Sequence, residues 1–230
     1  MVFSGLFFIL LTELSSCIDD EIIIYGKGDA FITVKIEQND TIYGLALHGM
    51  GDKELGSVTV IKDEEETSYK LASYNGSTYE YFYETDGDFL SKRLPNTGDY
   101  IFLYKFKSGE TDSTTDILTS DCIYPTDITT CEYDSTDKEI NLKWDINGDA
   151  DFIVIYLTNE DGNTTFISNS IDGSKTSYSI SSDTEYWGDY IPVNGTEYTV
   201  TIYMYSYETD QEDLNIQCRA ENTSTVIWGE

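Results

Sequence analysis

The chain has 230 residues, with 13 Lys and Arg against 43 Asp and Glu, so its formal net charge at pH 7 is -30. Such a charge repels phosphate groups and excludes DNA and RNA as partners. An apolar fraction of 40% with 14% aromatic residues excludes a disordered chain. The length fits one large or two smaller globular domains.

An apolar run opens the chain, from Val2 to Leu14. It is too short to cross a hydrocarbon core of about 30 Å comfortably, and Glu13 interrupts it. The pattern is typical of the core of an export signal. We therefore predict a signal peptide over residues 1–16.

The residues Leu14, Ser15, Ser16 and Cys17 follow the order of a lipobox, and an acidic stretch, residues 18–21, comes next. Together they resemble the start of surface lipoproteins of the Bacteroidota. The resemblance implies lipidation of Cys17, an acidic tether over residues 17–21, and a place at the outer membrane or cell surface. The lipid would be the only contact with the membrane. An ordinarily cleaved secretory signal is the alternative, and both interpretations export the protein.

Short runs rich in Tyr, Thr, Ile and Val alternate in polarity with period two, between clusters of Gly, Asn and Asp. This pattern indicates β-strands. Residues 31–37 place Ile32, Val34 and Ile36 on one face, and residues 100–107 place four aromatic rings on one face. Further strands are expected over residues 56–61, 79–83 and 89–94. Since no segment has helical periodicity over ten residues, we predict an all-β protein.

The segment Pro95 to Tyr100 precedes an alternating strand. It resembles the approach to strand F of an immunoglobulin-like sandwich, where a tyrosine hydroxyl bonds back to the preceding corner. The resemblance implies an immunoglobulin-like domain over residues 22–119.

The second half follows a related pattern in three places. Residues 140–144 end in Trp144, residues 152–156 alternate, and residues 193–202 lead through Tyr198 into a further strand. These motifs resemble strands B, C and F of a fibronectin type III domain, with Tyr198 as the corner tyrosine. The resemblance implies a second β-sandwich over residues 120–230, placed in tandem after the first.

With Cys17 lipidated, three cysteines remain: Cys122, Cys131 and Cys218. An odd count leaves one thiol without a partner in the chain, and three single bridges are possible. A bridge between Cys131 and Cys218 would tie together the two ends of the second domain. A bridge between Cys122 and Cys131 competes with it.

The sequence favours a protein that is not an enzyme. Its single histidine, His48, lies in no nucleophile motif, and no GxSxG or CxxC pattern occurs. Paired carboxylates could indicate a glycosidase site, but in a chain with 43 acidic residues such pairs are too common to identify one. We predict no catalytic residues, no cofactor and no bound metal.

Four oxygen-bearing side chains alternate along residues 145–151, as in the first half of a calcium-binding loop. Ala150 stands where that loop needs Gly, and Tyr156 where it needs Glu. We interpret the segment as a polar turn, with a weak calcium site shared with another loop as the alternative.

If Tyr198 points into the core of the second domain, alternation sends other side chains of strand F outward. The same parity, applied to strand C, sends Phe152, Val154 and Tyr156 inward. Because strands C and F are neighbours in this fold, the outward residues would form one apolar and aromatic patch. The predicted patch consists of Tyr203, Tyr205, Tyr207, Ile153, Ile155 and Leu157. The alternative is that the first domain or a long connection covers it.

These features favour a non-catalytic surface lipoprotein that acts in adhesion and binds a glycan or a protein partner through the patch. The alternative is a secreted eukaryotic or viral glycoprotein that sequesters a host signalling protein. Five Asn-x-Ser/Thr triplets support the alternative, at Asn39, Asn75, Asn163, Asn194 and Asn222.

Overall fold

The computed structural model describes residues 25–62, 67–145, 149–188, 190–209 and 215–229. In these ranges the chain forms β-strands and short 3₁₀ turns, with no α-helix and no helix long and apolar enough to span a membrane. The all-β prediction is confirmed. The predicted signal peptide (residues 1–16), the lipidated Cys17 and the tether (residues 17–21) lie outside the described residues.

The strands are numbered in chain order. In the first half they are β1 (Gly26–Glu37), β2 (Asp40–Gly51), β3 (Leu55–Lys62), β4 (Thr67–Lys70), β5 (Ala72–Ser73), β6 (Glu80–Glu84), β7 (Gly98–Phe106) and β8 (Thr111–Leu118). In the second half they are β9 (Ile128–Asp134), β10 (Glu139–Trp144), β11 (Phe152–Asn159), β12 (Thr164–Ile167), β13 (Ile171–Asp172), β14 (Ser177–Ser181), β15 (Glu197–Tyr207) and β16 (Ile216–Ile227). The 3₁₀ turns are Tyr74–Gly76, Gly87–Phe89 and Glu185–Trp187.

The first half forms a sandwich of two layers. Strands β1, β2, β6 and β5 make one layer, and β4, β3, β7 and β8 make the other. This is the A-B-E-D and C'-C-F-G order of an immunoglobulin-like fold. The layers approach closely at β1, where a methyl group on Gly28 would lie 2.4 Å from the ring of Phe102 and one on Gly26 would lie 2.3 Å from the ring of Tyr104. Glycine therefore lets the two layers pack.

Strand β7 contains the tyrosine corner that the sequence predicts at Tyr100. The hydroxyl of Tyr100 donates a hydrogen bond to the backbone oxygen of Asn96, at 2.7 Å. Alternation then buries Tyr100, Phe102, Tyr104 and Phe106 in the core. The tyrosine corner and the inward face predicted for this strand are confirmed.

The strand predicted over residues 89–94 is wrong. Phe89 ends a 3₁₀ turn and is 77% exposed, and the only pairing recorded for this segment is an isolated bridge between Tyr43 and Ser91. The carboxylate of Asp86 accepts a hydrogen bond from the backbone N–H of Asp88 and holds that turn. Local side-chain bonding of this kind competes with strand pairing.

The second half forms another two-layered sandwich. Strands β12, β11, β15 and β16 lie in one layer, and β14, β10 and β9 form the other. This matches the C'-C-F-G and A-B-E layers of a fibronectin type III domain. The Tyr198 hydroxyl accepts a hydrogen bond from the backbone N–H of Val193 at 3.2 Å and pairs with the hydroxyl of Tyr190 at 2.8 Å. The second predicted corner is therefore confirmed.

The two sandwiches share a sheet, a feature that was not predicted from the sequence. Strand β16 pairs in parallel with β1, with Ile32 opposite Cys218 and Lys35 opposite Glu221. The pairing joins one layer of each sandwich into a nine-stranded sheet. The buried side chains of both halves belong to one contiguous cluster.

The segment between β8 and β9 packs along β16. Gln217 Nε2 donates to the backbone oxygen of Asp121 at 2.7 Å, and Asn222 Nδ2 donates to that of Thr126 at 2.7 Å. Strand β8 ends at Leu118 and β9 begins at Ile128. The division into domains at 22–119 and 120–230 stays a prediction.

Candidate binding face

The register between β11 and β15 decides which side chains face the core of the second sandwich. Ile153 lies opposite Met204, and Ile155 opposite Ile202. Directly opposite residues of an antiparallel pair point to the same face. Since Met204 and Ile202 are fully buried, β11 presents Ile153, Ile155 and Leu157 to the core.

The parity predicted for β11 is therefore wrong. Ile153, Ile155 and Leu157 are at most 1% exposed, so they are core residues and not part of an outer patch. The residues that point away from the core are Phe152 and Tyr156, with Val154 between them. The error has a physical cause: all six residues from 152 to 157 are apolar, so alternation alone does not mark the buried side.

On β15 the predicted outward residues do point away from the core. Tyr203 and Tyr205 are half-buried, as is Tyr207 at the end of the strand. The ring of Tyr205 stacks on Phe152 with centroids 4.5 Å apart, and Tyr203 meets Tyr156 edge-on at 5.1 Å. The outer surface of β11 and β15 is thus a layer of contacting aromatic rings.

The same side of the sheet continues into the first sandwich. Phe31 of β1 lies 6.5 Å from Phe82 of β6, and Phe82 lies 5.5 Å from Tyr74 in the 3₁₀ turn. We call this surface the aromatic face. It consists of Phe31, Tyr74, Phe82, Phe152, Tyr156, Tyr203, Tyr205 and Tyr207.

Arg219 of β16 lies between the two groups of rings. Its guanidinium is 5.1 Å from the ring centre of Tyr203 and 5.9 Å from that of Phe31. One nitrogen contacts Glu84 at 2.5 Å and Glu221 at 3.6 Å. The side chain is 13% exposed, so the aromatic face holds a charge that is partly desolvated and matched by two carboxylates.

Burial favours the protonated form of the phenol groups of Tyr203 and Tyr205. It raises the pKa of Tyr203 to about 12, with a smaller effect from the charge of Glu221, and it also raises the pKa of Tyr205. At neutral pH these hydroxyls can therefore both donate and accept hydrogen bonds. The face can offer ring surface and hydroxyl groups to a ligand together.

His48 lies beside the aromatic face, with its ring 5.9 Å from Phe82 in an edge-on contact. Its Nε2 is buried without a hydrogen-bond partner among the described residues, and burial lowers its pKa. No set of three His, Cys, Asp or Glu side chains in the described ranges is arranged around one metal position. In the polar turn that the sequence predicts over residues 145–151, the carboxylate of Asp151 accepts a hydrogen bond from the backbone N–H of Tyr207 at 2.7 Å.

The structure brings Cys218 to Cys122 and not to Cys131. The thiols of Cys122 and Cys218 are in hydrogen-bonding contact, and burial raises the pKa of Cys218 to about 12. Cys131 instead contacts the hydroxyl of Ser224. Ser224 and Cys218 are six positions apart on β16, or about 20 Å, which is too far for a bridge between Cys131 and Cys218.

Sequence reasoning missed the half of the aromatic face that belongs to the first sandwich. Phe31 and Phe82 are on the outward parity of β1 and β6, together with Thr33, Lys35 and Glu84. An aromatic residue among polar ones on an outward strand face could have indicated that this face takes part in binding. The position of Arg219 had no such signal, because the start of β16 could not be predicted.

No protein-family model matches the chain, and no curated protein matches it. A biofilm-associated protein BSP domain is similar at 17% identity and a TM-score of 0.25, over 87% of this chain and 29% of that one. A two-domain fibronectin type III segment of chicken tenascin has 12% identity and a TM-score of 0.30, over 86% and 99%. The lipoprotein Tp47 of Treponema pallidum has 11% identity and a TM-score of 0.38, over 86% and 50%. Overlaps at these TM-scores carry no functional argument.

Proposed function

We propose that the protein is a non-catalytic adhesion module that holds a neutral glycan on the aromatic face. One observation carries the proposal: aromatic rings line a single side of the sheet shared by both sandwiches, and all but the buried Phe31 are half-buried or exposed. A contiguous aromatic surface of this kind is a common mark of a binding site.

The ring arrangement suits sugars. Tyr205 and Phe152 are half-buried and their rings are stacked within 1° of parallel, so the two rings together present one aromatic unit on this side of the sheet. Sugar C–H groups pack against such rings, while hydroxyls bond to the phenol groups of Tyr203 and Tyr205. Since these phenols stay protonated at neutral pH, they can serve as donors as well as acceptors.

The charge of the molecule argues for a neutral ligand. A net charge of -30 repels sulfated, phosphorylated and sialylated chains. Arg219 does not offset this repulsion, because Glu84 and Glu221 already neutralise it. Neutral hexose polymers meet no such barrier.

The sequence supplies the rest of the proposal. Lipidation at Cys17 would hold the protein at the cell surface and present the aromatic face outward. Residues 22–119 and 120–230 would act as two domains with one shared site. A protein partner is the competing occupant of the same face.

The proposal is tested by screening the purified chain on an array of neutral and acidic glycans, and then measuring affinity by titration calorimetry. We expect binding to neutral glycans, and about tenfold weaker binding for Tyr203→Ser and for Tyr205→Ser. Tyr205→Phe keeps the ring and should bind within a few-fold of the wild type. Tyr79→Ser removes a tyrosine that is 48% exposed and outside the aromatic face, and it should bind normally.

Two results would contradict the proposal. Binding that survives both serine variants, in protein whose melting temperature is unchanged, would place the site elsewhere. An array without any binding, combined with protein capture that the serine variants abolish, would keep the face and replace the glycan by a protein.

A further inference from the structure

The rings on the second sandwich belong to a row that runs across the strands. Phe152 of β11 lies opposite Tyr205 of β15, and Tyr205 lies opposite Arg219 of β16. Arg219 in turn lies opposite Thr33 of β1, in the parallel pairing that joins the two sandwiches. Residues directly opposite one another on neighbouring strands point to the same face. The row therefore crosses the junction without changing sides.

Aromatic side chains continue this row on the first sandwich. Phe82 of β6 lies opposite His48 of β2, and its ring is 6.5 Å from that of Phe31. Phe82 is half-buried, and Tyr74, whose ring packs on it, is 43% exposed. The row thus extends over the six neighbouring strands β11, β15, β16, β1, β2 and β6. With about 4.8 Å between neighbouring strands, its length is about 24 Å.

The row is the long dimension of the aromatic face. Along β15 the outward tyrosines extend from Tyr203 to Tyr207, which is about 13 Å at about 3.3 Å per residue. A ligand that contacts the greatest number of rings therefore lies across the strands and not along them. Such a ligand reaches from Phe152 to Tyr74 and contacts both sandwiches.

Polar groups lie in the middle of the row. Phe31 is 4% exposed, and the guanidinium of Arg219 lies over its ring. Arg219 contacts Glu84 of β6, whose side chain is 26% exposed. A guanidinium donates hydrogen bonds and a carboxylate accepts them. The hydroxyl groups of a sugar placed here could bond to both, whereas a lipid or another apolar chain would remove water from both charges without replacing its hydrogen bonds.

We propose that the aromatic face takes an internal stretch of an extended, linear, neutral polysaccharide, which lies across the strands and over the junction of the two sandwiches. This ligand rests on the glycan-binding function proposed above and specifies it further. Sugars at the two ends of the stretch pack on the rings of Phe152 and Tyr205 and on that of Tyr74, and sugars between them bond to Glu84 and Arg219. Recognition of this kind depends on the length of the chain and not on a terminal sugar.

The length of the saccharide is the variable to test. Once one end of the chain is bound, the contact at the other end forms within the same complex, so both contribute to the affinity. The probes are malto-, cello- and manno-oligosaccharides from disaccharide to octasaccharide, with matched oligomers of any other neutral polysaccharide that binds on the array. They are titrated calorimetrically into the full chain. In each series that binds, we expect the octasaccharide to bind about tenfold or more tightly than the disaccharide.

Two tyrosine variants separate the ends of the row. The disaccharide should bind on the second sandwich, because most of the rings are there, so Tyr205→Ser should weaken binding of both lengths. Tyr74→Ser should weaken octasaccharide binding about tenfold and leave disaccharide binding within about twofold of the wild type. The turn Tyr74–Gly76 has no buried residue, so this substitution should leave the fold intact. Tyr79→Ser removes a tyrosine of similar exposure from the same sandwich, outside the aromatic face, and should bind both lengths normally.

Equal affinity for the disaccharide and the octasaccharide, with both lost in Tyr205→Ser, would overturn the extended ligand but retain glycan binding at a compact site. An equal loss of both lengths in Tyr74→Ser would have the same meaning. No binding by any oligomer or polysaccharide would overturn the extended ligand together with the glycan-binding function. If Tyr74→Ser lowers the melting temperature, the length dependence of the unmodified protein decides, and Tyr74→Phe, which keeps the ring, should reproduce it.

Discussion

Strands β11 and β15 are neighbours in the same sheet, yet the buried face can be identified from the sequence for β15 only. On β15 the corner tyrosine fixes the parity, because the hydroxyl of Tyr198 must reach the backbone of Val193. Val200, Ile202 and Met204 then follow it into the core. Strand β11 has no such anchor, and its apolar residues occupy both faces.

The difference teaches that an apolar residue on a strand indicates burial only when the other face is polar. Where both faces are apolar, the neighbouring strand decides. Ile155 is buried because it lies opposite Ile202, and Tyr156 is on the aromatic face because it lies opposite Thr201.

The largest expected change in stability comes from a cross-link on β16. On this strand Cys218 points into the core and lies beside Cys122. We expect oxidation by glutathione disulfide to join these two thiols, with loss of two protons and transfer of two electrons to the oxidant. The bridge should stabilise the fold by about 4 to 5 kcal/mol in the chain-entropy model. Peptide mapping by mass spectrometry identifies the bridge, and urea denaturation measures its effect.

The variant Cys131→Ser is the control for this cross-link and should leave it intact. The variant Cys218→Ser should prevent it. Recovery of a peptide that joins Cys131 to Cys218 would contradict the packing of Cys218 beside Cys122 and of Cys131 beside Ser224.

The next effect compares the two faces of β11 directly. Ile155→Ala removes a side chain that is 0% exposed, so we expect it to lower the free energy of unfolding by about 2 to 5 kcal/mol. Val154→Ala, on the half-buried outer face, should cost about 1 kcal/mol. Urea denaturation of both variants gives the two values. Equal costs, or a larger cost at Val154, would reverse the face assignment.

The smallest effect concerns the two corner hydroxyls. Tyr100→Phe and Tyr198→Phe should each lower the free energy of unfolding by about 1 kcal/mol. The cost at Tyr198 should be the greater, because its hydroxyl bonds both Val193 and Tyr190, whereas Tyr100 donates to Asn96. Thermal denaturation of the two variants shows the order. A negligible cost at Tyr198 would remove the anchor on which the parity of β15 rests.

The sequence predicts those parts of the fold that depend on local patterns. Both tyrosine corners, the alternation of β7 and the strand order of the second sandwich follow from residues close together in the chain. The pairing of β1 with β16 does not, because Ile32 and Cys218 are almost 190 positions apart and nothing in either segment identifies the other. The predicted strand over residues 89–94 failed because a local aspartate turn outcompeted its apolar pattern.

The candidate site likewise has a part that local sequence patterns predict and a part that depends on long-range strand pairing. Tyr203 and Tyr205 could be found from the parity of one strand. Arg219 and Phe31 could not be added, since their place beside these tyrosines depends on the parallel pairing.

The parallel pairing of β1 and β16 also determines how the molecule would respond to tension. A pull on the start of β1 and on the end of β16 runs along both strands in opposite senses. The four residue pairs from Ile32–Cys218 to Lys35–Glu221 would then be sheared together and not opened one after another. Because these pairs would have to break at the same time, the fold should resist a force that pulls its two ends apart.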